Sequence, residues 1–332
     1  MKSNIQEIAA LAGVAKSTVS KALNGQRGVS EDKRREILDL AARLNYEPSA
    51  TAQALASSRT GSIGLLLAHE AGYSLSGAYW SAVITSIAQV ANANNHSLLI
   101  LTPRAEGAIA ETVESVLRRR NVDGLIVGAE SIGEPTVRRL EAEGLPFVFL
   151  GRHPESDRSS VDVDNFGGSA RLVRHLAGAG YRRIACLAGP AENLYNQERV
   201  AGYLAVLDEA GLDWRTVAHT DYTSEDSRRV LGGLLAERPD LDALYVTAGG
   251  DFLLDCIDTL RLAGLNLSRF GFGAFDDYRF FDYLDIPICT VRQPLAALGA
   301  AAAELLFEAL SGRPDGPDGP VHRVLPVELV LR

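Results

Sequence analysis

Apolar residues near the start of the chain recur at helical spacing in two short runs separated by a glycine. From Ile5 to Gly25 the sequence reads IQEIAALAGVAKSTVSKALNG, which predicts two short helices around a glycine-containing turn, a helix-turn-helix pattern. At about 100° per residue the second helix gathers Lys16, Ser17, Ser20 and Lys21 on one arc, with Thr18, Val19, Ala22 and Leu23 on the opposite arc. One face is left to read DNA while the other packs. Ala10, Ala12 and Gly13 keep the turn small enough for a close crossing, and Asn24 with Gly25 suits the end of the second helix. A small helical bundle with a solvated polar face gives the same pattern, and only features further along the chain weigh against it. Ser30 is placed to cap a third helix. Glu31 and Asp32 then fall in its first turn, where the helix dipole favours negative charge, and Ile37, Ala41 and Leu44 recur inward.

After Pro48 breaks the chain, Ser49 to Ser58 form a short, alanine-rich linker followed by Arg59-Thr60-Gly61. A segment this short does not hold a helix alone, because nucleation is costly below about 12 residues, so it is expected to form against a partner. From Ile63 the period changes. The apolar runs IGLLL, SLLIL, DGLIV, PFVFL, RIACLA, DALYV, RFGFGAF and ICTV alternate with longer helical patterns. That rhythm predicts an α/β body of parallel sheets with helices on both faces. Ligands in such folds collect at the carboxyl ends of strands, which marks the residues just after each run. The Pro/Gly-rich RPDGPDGP ending at Pro320 reads as a surface connector before a last apolar stretch.

At 332 residues the chain exceeds a usual single domain, so a small head on a larger body is expected. Its net charge of -9 hides an asymmetry: up to Thr60 there are 9 basic and 6 acidic residues, net +3, and the remainder carries 24 against 36, net -12. A basic head on an acidic body confines DNA affinity to one end. All lysines fall at or before Lys33, for which the sequence offers no physical reason. Cys186, Cys256 and Cys289 are widely spaced in apolar stretches and are expected to be buried, reduced thiols. No signal core and no membrane-spanning apolar run is present, so a cytoplasmic protein with no membrane partner is expected. The histidines form neither HExxH nor a Cys/His cluster, and there is no GxSxG elbow or Walker loop. Gly178 and Gly180 begin a GxG without its third glycine, and better suit a helix end before a strand at Arg183 to Leu187. No catalytic residue, metal or cofactor is expected.

The chain resembles the lactose-repressor/galactose-repressor family of bacterial transcription regulators over essentially its whole length. The resemblance rests on LAGVAKSTVSKALNG, NYEPSATAQALASSRTGSIGLL, RRNVDGLIV, VDVDNFGG, GYRRIACLAGP, ERVAGY, AFDD and TVRQP, all in family order. It implies a homodimer, with a tetramer left open, whose paired helix-turn-helix heads bind palindromic double-stranded operator DNA. The body then resembles periplasmic sugar-binding proteins, with two α/β lobes joined by three crossings and closing on a small effector. The expected domains are residues 1–48 for the head, 49–60 for the hinge and 61–332 for effector binding and dimerisation. Within the body, a first lobe takes about 61–161 plus 292–320, and a second takes about 162–291 plus 321–332.

Carried onto this sequence, the resemblance assigns Lys16, Ser17 and Lys21 to base edges, and Thr18 and Ser20 to phosphates. Lysine donates to guanine O6 and N7, while serine bonds any base, so base identity stays open. Ala15 departs from the serine that usually caps the recognition helix, a loss of about 1 kcal/mol. Leu55, with Ala52 beside it on the family pattern, stands where the family places a leucine wedge in the minor groove. Prying a base step apart costs a few kcal/mol, offset by the bend and closer wrapping; a leucine that packs the linker against the body is the alternative. Ala56 lacks the basic side chain some relatives carry there.

For the effector, Tyr79 and Trp80 match the aromatic pair after the first strand, Arg199 the ligand-binding arginine and Asp276 the ligand-binding aspartate. Asp164, Tyr195, Tyr222 and Asp251 are secondary candidates on loops at strand ends. An arginine fork and a carboxylate can clamp neighbouring hydroxyls while an aromatic face covers a ring's C–H surface, which suits a sugar. Ordinary core packing is the alternative for each aromatic, above all Tyr222, and a structural ion pair the alternative for Arg199 and Asp276. Gly250 stands where many sugar-binding relatives have asparagine and purine-binding relatives have glycine, so a nucleobase or nucleoside effector competes with a sugar. The segment His69 to Ala78 matches the family poorly and leaves one wall of the pocket undefined. An enzyme or a transport-type binding protein on the same body is the remote alternative; the head and the lack of catalytic groups or an export signal weigh against it.

Overall fold

Of the short helices at the start of the chain the first is set by a side-chain cap, and all three are held by one another. The computed structural model describes residues 4–23, 25, 27–44, 46, 59–67, 78–103, 108–129, 132–154, 156–250, 252–312 and 319–332. They fall into two compact units, Met1–Gly61 and Ser62–Arg332. In the first, α1 (Ile5–Ala12) starts at Asn4, whose Oδ1 accepts from the N–H groups of Gln6 at 2.9 Å and Glu7 at 3.0 Å. Two donors that a helix start leaves open are thereby satisfied. The helix ends at Gly13 with φ 63°, a left-handed conformation that glycine enters freely. α2 (Lys16–Leu23) begins from Ala15, whose carbonyl accepts from Thr18 and Val19 but whose methyl group supplies no cap.

In α3 (Glu31–Arg43), Ser30 occupies the capping position, yet its hydroxyl makes no capping bond. That corrects the expected cap and leaves Glu31 and Asp32 to favour the helix start by charge alone. Early in α3, Lys33 donates to the Ala12 carbonyl at 3.1 Å and Arg34 to the Ala22 carbonyl at 2.9 Å. The third helix thus satisfies carbonyls that the ends of the first two leave open. Ile8, Val19 and Ile37, all fully buried, form the centre of this unit with Ala9, Ala12, Ala22 and Ala41. Truncating Ile37 to alanine would cost about 2–5 kcal/mol.

The second unit holds two six-stranded sheets. The first runs in the order β11 (His322–Leu325), β5 (Ser160–Val163), β4 (Phe147–Leu150), β3 (Gly124–Gly128), β1 (Ser62–Leu66) and β2 (Ser97–Leu101). The second runs β12 (Glu328–Leu331), β10 (Ile288–Arg292), β9 (Gly271–Phe275), β8 (Ala243–Val246), β6 (Ile184–Ala188) and β7 (Thr216–His219). Every pairing is parallel except that of β10 with β12. Parallel neighbours need crossovers. Within the sheets α4 (Ala78–Ala93), α5 (Ile109–Arg119), α6 (Glu134–Glu143), α8 (Leu194–Glu209), α9 (Ser224–Glu237) and α10 (Phe252–Leu262) supply them, while α7 (Asn165–Gly178) and α11 (Leu295–Leu310) stand where the chain passes from one sheet to the other. Central strands such as β3 and β6 are buried at every residue, which is why they read as unbroken apolar runs. β5, β7, β11 and β12 fall outside the eight apolar runs, being short and carrying polar residues among the apolar ones.

The last stretch departs from the expected division into lobes. The sequence places residues 321–332 whole in the second lobe, but β11 pairs in parallel with β5 of the first sheet, and only β12 joins the second. Pairing with β11 protects the otherwise open edge of β5, and the Ser160 hydroxyl lies 2.9 Å from His322 Nδ1 across that edge. The chain therefore crosses between lobes after β5, after β10 and again between Leu325 and Glu328. All three cysteines are free and buried. Burial pushes the thiols of Cys256 and Cys289 up to about 12 and that of Cys186 further, so none ionises at neutral pH. Among the described residues no helix is long and apolar enough to cross a membrane.

Candidate functional site

The two units carry two separate candidate surfaces. On α2, Lys16, Ser17 and Lys21 are exposed, Thr18, Ser20 and Leu23 half-buried, and Val19 and Ala22 buried. Helical periodicity separates Lys16, Ser17 and Lys21 from Val19 and Ala22, whereas Ser20 is half-buried like Thr18 and Leu23 on the other arc. Ala52 and Leu55, like most of the linker, lie outside the described residues. So do Asn24, Asp251 and residues 68–77.

In the body, polar side chains gather at the carboxyl ends of the second sheet's strands. Arg199, on α8, is 5% exposed; its Nε donates to Asn165 Oδ1 at 2.9 Å and its Nη1 to the Thr247 carbonyl at 2.6 Å. Its guanidinium lies 3.6 Å from the centre of the Phe275 ring and 4.8 Å from that of Tyr195. Both contacts are cation–π in character. Asp276 follows β9 and has φ 84°, while Tyr222, in the loop after β7, has φ 65°. Such backbone costs about 1–3 kcal/mol for a non-glycine residue and concentrates at functional sites. The Asp276 carboxylate accepts from the Gly249 N–H at 2.9 Å and from the Gln293 side-chain amide.

Tyr222 is buried, and its hydroxyl donates to Asn196 Oδ1 at 2.6 Å and lies 2.8 Å from Thr247 Oγ1. Burial drives its phenol well above the usual tyrosine range, so it stays neutral. Two glycines make this packing possible. A Cβ on Gly189 would lie 2.1 Å from the Tyr222 ring, and one on Gly249 would lie 2.2 Å from the Tyr278 ring. The short segment from Thr247 to Gly249 is thus the meeting point of Arg199, Tyr222 and Asp276, with Tyr195 beneath Arg199.

The other sequence candidates sit differently. Asp164 caps α7, accepting from the Gly167 N–H at 2.8 Å, and pairs with Arg171 at 3.3 Å. At the start of α4, Trp80 is 4% exposed within the apolar core, and half-buried Tyr79 meets it edge-on at 5.1 Å. Core packing accounts for Trp80 as it stands. Asn165, Asn196, Thr247 and Gln293 were not singled out from sequence, although each follows a strand or lies near one of the quoted motifs. Nor were Arg152, Asp162 and Glu198. Arg152, after β4, pairs with Asp162 at 3.3 Å and with Glu198 across the lobes. Burial pushes the Asp162 carboxyl up, against its hydrogen bond from the Val163 N–H and the charge of Arg152. Among the described residues no group of His, Cys, Asp and Glu is arranged to hold a metal ion.

Comparison with known proteins bears on both units. Residues 4–49 match the model for bacterial regulatory proteins of the lacI family. Residues 60–310 match that for periplasmic binding proteins and the sugar-binding domain of the LacI family. The chain is 28% identical over 335 residues to the HTH-type transcriptional regulator CelR of Thermobifida fusca, covering 99% of this chain and 97% of the relative. It is similar to the solved structure of a CelR–cellobiose complex, with a TM-score of 0.75, 28% identity and 99% of each chain covered. A lac repressor dimer bound to operator and the anti-inducer ONPF shares the fold, with a TM-score of 0.81 at 24% identity, covering 99% of this chain and 98% of that one.

Proposed function

This chain belongs to the LacI family of bacterial regulatory proteins, and from that premise we propose that it represses carbohydrate-utilisation genes, binding a palindromic operator as a homodimer with a sugar effector between its lobes. Its family consists of DNA-binding transcriptional regulators rather than enzymes. In this reading Lys16, Ser17 and Lys21 reach base edges, Thr18 and Ser20 hold phosphates, and Leu55, flanked by Ala52, wedges into the minor groove at the operator centre. A protein with this task works where the DNA is, in the cytoplasm.

The observation that carries the sugar reading is the arrangement of Arg199 and Asp276. Each is fixed by neutral partners, and among the described residues Arg199 has no carboxylate within ion-pairing distance. A guanidinium and a carboxylate held this way can share the adjacent hydroxyls of one sugar. The Tyr195 ring, 4.8 Å from the Arg199 guanidinium, offers an apolar face next to that side chain. CelR, at 28% identity, has been solved with cellobiose, which supports a carbohydrate here.

A thermal-shift screen of the full chain against cellobiose, maltose, ribose, adenosine and guanine tests this. A ligand at 100 times its Kd adds about 2.7 kcal/mol of stability. Stabilisation by a sugar and not by the purines is expected. Stabilisation by guanine or adenosine alone would replace the sugar with a nucleobase or nucleoside.

A further inference from the structure

Asn165 is the first residue of α7, immediately past the first crossing between lobes, and is 1% exposed. Every hydrogen bond its amide makes is with a charged group. Its Nδ2 donates to Asp162 Oδ1 at 3.1 Å and to Glu198 Oε2 at 3.4 Å, and its Oδ1 accepts from Arg199 Nε at 2.9 Å. Arg152, from the first lobe, closes the group by bonding both Asp162 and Glu198. Two guanidiniums and two carboxylates cancel in formal charge, with one neutral amide between them.

The amide has a single workable orientation. Turned over, it would aim its carbonyl at two carboxylates and its N–H groups at a guanidinium. It therefore cannot follow a movement of Arg199 without also changing its bonds to Asp162 and Glu198. Buried polar groups leave such bonds unmade only at considerable cost, so the change is transmitted rather than absorbed.

We propose that Asn165 is a positioning residue that couples the state of Arg199 to the Arg152–Glu198 ion pair between the lobes. The inference rests on the reading of Arg199 as an effector contact. Displacement of the Arg199 head group then loosens or tightens the inter-lobe pair through the Asn165 amide. A two-state element whose equilibrium both sites bias is what such coupling requires.

The test is a double-mutant cycle on the full chain without ligand, read by hydrogen–deuterium exchange of peptides spanning 161–168 and 195–203. With Asn165 present, Arg152→Gln and Arg199→Gln are each expected to raise exchange about tenfold, and together little more than either alone, because they break one coupled unit. In an Asn165→Ser background the two effects should multiply. Asn165→Asp gives a second background, keeping the acceptor towards Arg199 while removing the donor, and should uncouple them as well if the serine variant does not fold. A merely structural Asn165 would lower stability and leave the coupling in place. Multiplicative effects with Asn165 present, or undiminished coupling in both backgrounds, would overturn the proposal. Since no ligand is used, failure of a sugar to bind in the screen leaves this outcome unaffected.

Discussion

Arg199 and Asp276 carry opposite charges at the strand ends of the same lobe, yet they do not pair with each other. Arg199 gives its hydrogens to Asn165 and the Thr247 carbonyl, and Asp276 accepts from Gly249 and Gln293. Neutral partners hold the geometry without quenching the charges. Arg199→Ala and Asp276→Asn are each expected to lower sugar affinity by about one to two orders of magnitude while the protein stays folded. A charged hydrogen bond is worth roughly 1.5–3 kcal/mol and each tenfold about 1.4 kcal/mol. Calorimetry against the sugar found by screening measures this, and unchanged affinity in both variants would remove the pocket from this place.

Tyr222 supports the same site from beneath. Its hydroxyl joins Asn196 to Thr247, so Tyr222→Phe leaves the ring packed against Gly189 and removes only the bonds. A loss of about 1–3 kcal/mol in urea unfolding, with the slope unchanged, is expected. No loss would mean that Asn196 and Thr247 satisfy each other without it, at the 2.9 Å that already separates them.

Acid should act through Asp277. Burial alone would raise its carboxyl, but hydrogen bonds from Arg332, Thr290 and Arg292 outweigh it and hold the group below the ordinary carboxylate range. A carboxyl lowered on folding contributes stability that is present above its unfolded value and lost as pH falls through its folded value. Denaturation midpoints should therefore fall below about pH 4 in the natural chain, and less steeply in Asp277→Asn. At neutral pH that variant should be about 3 kcal/mol less stable, since Arg332 loses its buried partner. Parallel pH profiles of the two proteins would contradict the assignment.

DNA affinity should reside in the head. Removing residues 1–58 is expected to abolish specific binding in gel-shift titrations, and affinity of the intact chain should fall steeply with salt as counterions are regained. Leu55→Ala should weaken specific sites more than nonspecific DNA and reduce bending. Equal loss on both would indicate a collapsed linker.

Periodicity made much of this molecule legible. The short helices of the head and the buried strands of both sheets follow from residue type and spacing, while Arg199 and Asp276 are candidates only through the family resemblance. The remainder depended on partners distant in sequence. No local pattern ties Arg34 to the end of α2, or pairs His322–Leu325 with a strand some 160 residues earlier, as the Ser160–His322 contact requires. Asn165 was visible in VDVDN only as a motif letter, because its role comes from Asp162, Glu198 and Arg199 converging after the fold forms. Trp80, a ligand candidate by the family resemblance, is 4% exposed among apolar side chains, a placement that residue type alone does not show.

The most direct test is fluorescence anisotropy of an operator, selected from random duplex DNA by the full-length protein, titrated with and without the stabilising sugar. The sugar is expected to shift operator affinity by about 5- to 150-fold, the usual range of coupling between sites, and to have no such effect on Arg199→Ala. A sugar that binds in the cleft of the natural protein and leaves operator affinity unchanged would contradict a carbohydrate-responsive repressor.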